Sequence, residues 1–250
     1  MKRINKQQRL KELLEKATDL FILKGYRRTQ IAELARFMGV APGTIYQYVR
    51  SKESLFHHLV LYHSGRFSPD EAQTMPVPDS GPEETLHLLR SQIVPLAAPA
   101  LLEKAINEGA PDDPRSELAG IAAELYDLLY ANRRGIKLLE RSALDWPELA
   151  ALFFLEMRQK LLDRVALYVG LRVQSGAFRA TPDEKVAARY LLETLSLFAI
   201  HLHFDVPLGP TYSPEAVRAT VLQLLTDAFC AEAPGRAGIA AGHLPRRGRA

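Results

Sequence analysis

Residues 27–56, RRTQIAELARFMGVAPGTIYQYVRSKESLF, set two short apolar periods around a glycine and a proline. Ile31, Leu34, Ala35 and Met38 recur at i, i+3, i+4 and i+7, which predicts a helix from about Gln30 to Phe37 with one buried face. Gly39 permits the positive φ of a tight helix–helix turn. Pro42 suits the first position of a new helix, where its missing N–H costs nothing. That second helix is expected from Pro42 to about Tyr48. Two short helices joined in this way form a helix-turn-helix, whose second helix fits the major groove of DNA.

The wheel of the second helix sharpens the reading. Ile45 and Val49 fall within ~40° of each other and mark the core side. Gly43 and Gln47 point the opposite way, with Thr44 and Tyr46 on the flanks. Gln pairs bidentately with adenine, hydroxyls reach phosphates or base edges, and Gly allows close approach. A small helical bundle with a polar outer face would show the same periodicity.

The wording of the stretch goes further than its period. Gly39-Val40-Ala41-Pro42-Gly43-Thr44-Ile45-Tyr46-Gln47-Tyr48-Val49, followed by Ser51-Lys52-Glu53-Ser54-Leu55, closely resembles the DNA-binding signature of the TetR family of bacterial transcriptional regulators. The resemblance extends back through Leu20-Phe21 and Lys24-Gly25-Tyr26 and covers about the first quarter of the chain. It implies an all-α fold: a three-helix DNA-binding domain, then a larger helical domain that binds a small effector and dimerises. Carried over residue by residue, it implies that Gly43, Thr44, Tyr46 and Gln47 meet bases or nearby sugar-phosphate. Thr29, Gln30, Tyr48 and Lys52 would hold phosphates, and Pro42 opens the recognition helix. Two positions depart from the family wording. Ala41 and Gln30 stand at helix starts where the family often has a hydroxyl cap, each costing ~1 kcal/mol. Pro42 and Glu33 offset part of this, and affinity should lean more on Lys52, Tyr48 and the basic N-terminal arm.

Charge is divided along the chain. Residues 1–66 carry 13 Lys/Arg against 5 Asp/Glu, a net of +8, and residues 67–230 carry 15 against 23, a net of −8. A basic front on an acidic body is expected where only the front meets phosphate. The single cysteine, Cys230, excludes an intramolecular disulfide and is expected to be buried and inert. The basic start lacks the apolar run of a secretory signal, and stretches such as Ser91–Leu102 fall short of the ~20 apolar residues of a membrane span. A cytoplasmic protein is expected.

In chain order, residues 2–9 form a basic arm, suited either to a phosphate backbone or minor groove or to a solvated tail. An amphipathic helix runs from Gln7 to Lys24 and is closed by Gly25. Ser51 caps a connecting helix from Lys52 to about Arg66, with Lys52 adding charge to an anion-binding helix start. Residues 67–82, with four prolines and no period, read as a linker or mobile loop. This places a DNA-binding domain at 1–50, the connecting helix at 52–66, a helical effector and dimerisation domain at 67–230, and a Gly/Ala/Arg-rich tail at 231–250 expected to be disordered. Nine to ten helices are expected in all. Within the larger domain the helices are placed at Glu83–Ile93, a second piece to Asn107, Ser116–Ala131 and Arg133–Leu144 (two helices or one kinked), and Pro147 to about Gln174. Thr181-Pro182-Asp183-Glu184 is expected to start a helix reaching about Phe204, Pro207–Pro210 to loop, and Ser213 to start the last helix. These last two, about 182–204 and 214–230, are apolar over more than one stripe, as expected of helices that meet a symmetry mate. Burial within one subunit is the other reading.

No catalytic constellation stands out. His201, His203 and Asp205 share an H-x-H-x-D spacing, but residues two apart on a helix diverge by ~200°. His57 and His58 diverge by ~100°. There is no phosphate-binding glycine loop and no nucleophile elbow. No enzyme, cofactor or metal is expected. Tyr126, Tyr130, Trp146, Phe153, Phe154, Met157 and Phe198 are available to line an effector cavity, though each fits equally as core. The function expected is a homodimeric, ligand-responsive repressor of a palindromic operator. An activator or effector-independent regulator shares the same front end, and a helical small-molecule binding protein that has lost DNA binding is a more remote alternative.

Overall fold

The computed structural model describes residues 5–93, 99–204 and 212–230. Lys2 and Arg3 of the basic arm, Asp205, the loop at 207–210 and the tail at 231–250 lie outside the described residues. Among the described residues the chain is helical, with one isolated bridge pairing Phe178 and Cys230. None of these helices is long and apolar enough to cross a membrane.

The front domain consists of α1 (Lys6–Lys24), α2 (Ile31–Met38) and α3 (Pro42–Ile45), followed by α4 (Lys52–His63). The body holds α5 (Pro82–Leu88), α6 (Ala100–Asn107), α7 (Pro114–Ala131), α8 (Arg133–Ala143), α9 (Pro147–Ala150), α10 (Lys160–Gln174), α11 (Glu184–Ala199) and α12 (Pro214–Phe229). Because α9 and α10 are joined without a break, there are eleven rods among the described residues.

Several boundaries differ from the sequence expectation for physical reasons. The amides of Gln47 and Tyr48 bond three residues back, to Thr44 (3.2 Å) and Ile45 (2.9 Å), so α3 tightens after Ile45 and does not reach Tyr48 as a regular helix. Asn5, not the basic arm, starts α1 by accepting from the Gln8 amide. Asp183 caps α11 by accepting from Lys185 and Val186, so the helix starts two residues after Pro182. α11 ends at Ala199 and passes into a 3₁₀ turn, His201–Phe204. Asn132 separates α7 from α8, giving two helices. The expected rod from Pro147 to Gln174 exists, but its stretch Ala151–Gln159 is wound as a π-helix.

Residues 67–82 are not a loose linker. Pro69–Glu71 form a 3₁₀ turn, and Pro69 and Val77 are buried. The Val77 amide donates to the Tyr48 carbonyl at 2.8 Å, and the Ser54 and Ser51 hydroxyls donate to Pro78 O and Asp79 Oδ1. The segment is a strap that runs back along α4 to the end of α3. Its prolines raise no steric conflict, because a strap bonds through a few selected groups instead of a ladder.

Two cores hold the molecule. The first joins α1–α4 to the strap, α5, α8 and α9, around Phe21, Tyr26, Phe56 and Trp146. The second joins α6, α7, α10, α11 and α12. In the second, Arg172 is 2% exposed and meets the Glu117 carboxylate at 2.7 and 2.8 Å and the Ala105 carbonyl at 2.8 Å. Its charge is tolerated because every side of the guanidinium fork has a partner. Cys230 is buried, and burial pushes its thiol above the usual range.

Trp146 is the body's contribution to the aromatic group of the front domain. Trp146→Ala should therefore cost ~3–5 kcal/mol in chemical denaturation of the full chain. A loss under ~1 kcal/mol would show that the two parts do not share a core.

Candidate nucleic-acid interface and effector cavity

The turn between α2 and α3 is set by Gly39, at φ 67° and ψ 33°, whose amide returns to Arg36. Ile45 and Val49 are buried beneath the turn, which fixes the roll of α3. Pro42, Gly43, Tyr46 and Gln47 are exposed, and Thr44 and Tyr48 are half-buried. These are the orientations expected from the wheel. A Cβ at Gly43 would meet nothing within 4 Å, so the fold itself does not require glycine there.

The residues expected to hold phosphates are placed unequally. Gln30 is exposed at the N-cap of α2 and makes no side-chain cap bond, and Ala41 makes none for α3. Thr29 is 1% exposed, and its hydroxyl donates to the Gly25 carbonyl at 2.8 Å. It braces the turn and is not on the outer face. Lys52 lies over the Tyr26 ring at 4.5 Å and donates to the Tyr26 carbonyl at 3.2 Å. Its ammonium keeps two further donors at the start of α4, where Ser51 accepts from the Ser54 amide at 3.0 Å. Around this face Arg27, Arg28, Arg36 and Arg50 are exposed, so its electrostatic character is positive.

The front domain is tied to the body through α8. Arg134 meets Glu15 at 3.1 Å and Asp19 at 3.0 Å on α1, and Arg141 donates to the Ile22 carbonyl at 3.1 Å. Asp145 accepts from the Arg27 amide. At α4, His63 Nε2 lies 2.8 Å from Thr18 Oγ1 on α1, and a Cβ on Gly135 of α8 would stand 3.0 Å from His63 Cβ. α4 and α8 thus touch closely at the last turn of α4. The exposed ion pairs contribute little stability; their effect is to fix angle and register.

Beside that contact lies a cavity of about 430 Å³, within the range of small-molecule sites. Val60 and His63 of α4, Ile136 and Leu139 of α8, Phe153, Phe154 and Met157 of the π segment, and Leu192 of α11 line it. Of the seven aromatic and sulfur side chains considered from sequence, Phe153, Phe154 and Met157 reach it. Tyr126 and Trp146 are core, and Tyr130 stacks against His203 and Arg133. The lining charges Arg158, Arg189 and Glu193 were not legible beforehand: helical period marks burial, and these side chains sit at the rim. Among the described residues no cluster of three or more His, Cys, Asp or Glu is placed to hold a metal. His57 is turned to Thr85, and His58 to the Ser54 carbonyl.

Residues 13–59 match the family profile described as bacterial regulatory proteins, tetR family. A comparison with curated proteins gives no match. Among solved structures, the chain is similar to the ketosteroid transcriptional regulator KstR2 of Mycobacterium tuberculosis, at 17% identity and TM-score 0.55, over 92% of this chain and 100% of that one. It is also similar to a tetR-family regulatory protein from Rhodococcus RHA1, at 18% identity and TM-score 0.51, over 91% and 100%. A third is AibR, solved with isovaleryl coenzyme A and operator DNA, at 17% identity and TM-score 0.50, over 88% and 100%. At these identities the likeness is one of fold, extending over both the front domain and the body.

Burial holds the His63 imidazole well below its ordinary pKa, at about 4, and burial likewise lowers His57 and His58. The unfolded chain therefore binds more protons than the folded one below pH ~6.5. Stability should be full above that pH and fall by up to ~1 kcal/mol per pH unit for His63 on acidification towards pH ~4. Denaturation midpoints measured across this range should show the loss, and His63→Gln should flatten it.

Proposed function

We propose that this chain, which carries the DNA-binding domain of the tetR family of bacterial regulatory proteins, acts as a homodimeric repressor released from its operator by a small molecule in the cavity. The observation that carries the reading is the position of α4. Its first turn presents Lys52 beside the outward face of α3, and its last turn, at Val60 and His63, forms part of the cavity wall. One rigid element thus joins the DNA face to the ligand site.

On this reading Gly43, Thr44, Tyr46 and Gln47 meet base edges or nearby sugar-phosphate, and Gln30, Tyr48 and Lys52 meet phosphate. Thr29, buried as it is, holds the turn that presents them. A dimer places two such faces on half-sites about one helical turn, ~34 Å, apart or at a modest multiple. The surface for that dimer is supported by Val186, Tyr190 and Leu197, which are exposed on α11, and by Leu224 on α12. Large apolar side chains grouped on two neighbouring helices suit a partner surface better than water. The ligand favours a conformer whose recognition helices no longer match both grooves, by no more than its difference in affinity for the two states. AibR, solved with both a coenzyme A thioester and operator DNA, supports the pairing of such ligands on a fold of this kind. The DNA partner also favours a cytoplasmic location.

Electrophoretic mobility shift with the DNA upstream of this gene tests the reading. Binding should be sequence-selective and should weaken steeply with salt. Gln47→Ala should relax selectivity at about one base pair by ~1–3 kcal/mol, and Lys52→Ala should weaken all sequences alike. Gly43→Ala should leave the fold intact and lower affinity by crowding the groove. Absence of salt-sensitive, selective binding would sink the repressor assignment. A monomer at micromolar concentration in ultracentrifugation would remove the dimer.

A further inference from the structure

The charges at the cavity are unevenly shared. Glu193 on α11 is met by two guanidinium groups. Arg158 Nη2, at the end of the π segment, lies 2.6 and 2.7 Å from its two oxygens, and Arg189 Nε lies 3.4 Å from Oε1. All three residues line the cavity and are partly open to solvent. Two positive charges thus stand against one negative charge on this side. The other lining carboxylate, Glu140, is already matched: Lys137 Nζ lies 2.8 Å from it and 3.1 Å from His201 Nδ1. At the α4 end the wall is neutral, with His63 uncharged at neutral pH and bonded to Thr18. The walls between are apolar.

We propose that the cavity takes an amphipathic acid. Its apolar body lies among Ile136, Leu139, Phe153, Phe154, Met157 and Leu192, and its anionic head is received by Arg158 and Arg189. This rests on the cavity being the effector site. The guanidinium fork matches the two oxygens of a carboxylate or phosphate, and the partly solvated rim spares the head full desolvation. Glu193 occupies that position in the absence of ligand and must yield one guanidinium to the incoming head. A cationic ligand has no such place, because both lining carboxylates are already held by basic groups. A neutral apolar ligand would fill the walls and leave the charged pair unchanged.

Calorimetry on the full chain without DNA tests this, using decanoate, decyl phosphate, decanol and decyltrimethylammonium below their aggregation thresholds. At least one of the two anions is expected to bind one per subunit, at least ten-fold tighter than decanol. The stronger of the two identifies the head as carboxylate or phosphate. Arg158→Gln should weaken the anion ten-fold or more and leave decanol unchanged, Arg158→Lys should retain part of the difference, and Glu193→Gln should strengthen the anion. Arg189→Gln repeats the test should Arg158→Gln fail to fold. Equal binding of decanol and both anions, tightest binding of the cation, or equal losses for decanol and anion in Arg158→Gln would each overturn the anionic head while leaving the cavity as an effector site. Binding of none of the four overturns the proposal together with the cavity's role, and leaves the mobility-shift result to stand separately.

Discussion

The aromatic group made by Phe21, Tyr26, Phe56 and Trp146 is the contact on which the rest depends, because it does not belong to one domain. Three of its members come from the front domain and α4, and Trp146 comes from the turn that opens α9. A three-helix unit of about fifty residues buries too little surface to be comfortable alone. Here it borrows a wall from the body. The same sharing makes the front domain sensitive to the body's shape, since the wall it borrows is continuous with α8 and the cavity.

The path between the two sites is short and made of ordinary contacts. α8 carries Arg134 and Arg141 onto α1 and lines the cavity with Ile136 and Leu139. α4 carries His63 into the same region, and Gly135 lets the two helices approach where a side chain would hold them apart. The nine-residue π stretch, Ala151–Gln159, lines the opposite side and brings Phe153, Phe154, Met157 and Arg158 to the cavity. π-helical turns are uncommon and concentrate at functional sites, which agrees with this location.

Much of the front domain was legible because its constraints are local. The period of Ile31, Leu34, Ala35 and Met38, the turn at Gly39 and the cap at Ser51 each depend on a few neighbours. The face carrying Gly43, Tyr46 and Gln47 follows from them. Thr29 was misplaced because a hydroxyl at a helix start looks the same in sequence whether it faces outward or, as here, bonds four residues back to Gly25. The strap was missed for a related reason: prolines and acids mark the absence of a ladder, and say nothing of single contacts such as Val77 to Tyr48. The cavity was only partly legible, since apolar spacing does not separate a packed wall from an open one. Its rim charges are set by which helices meet, a property of the whole fold.

The strap has a consequence for how the chain should tolerate change. A proline-rich stretch between two helices is where insertion, tagging and proteolytic nicking are ordinarily harmless. In this chain the stretch closes the end of the recognition helix through the Val77 amide and covers Ser51 and Ser54 at the start of α4. A cut or insertion between Pro69 and Asp79 therefore reaches the DNA-reading surface, although it lies more than twenty residues away along the chain.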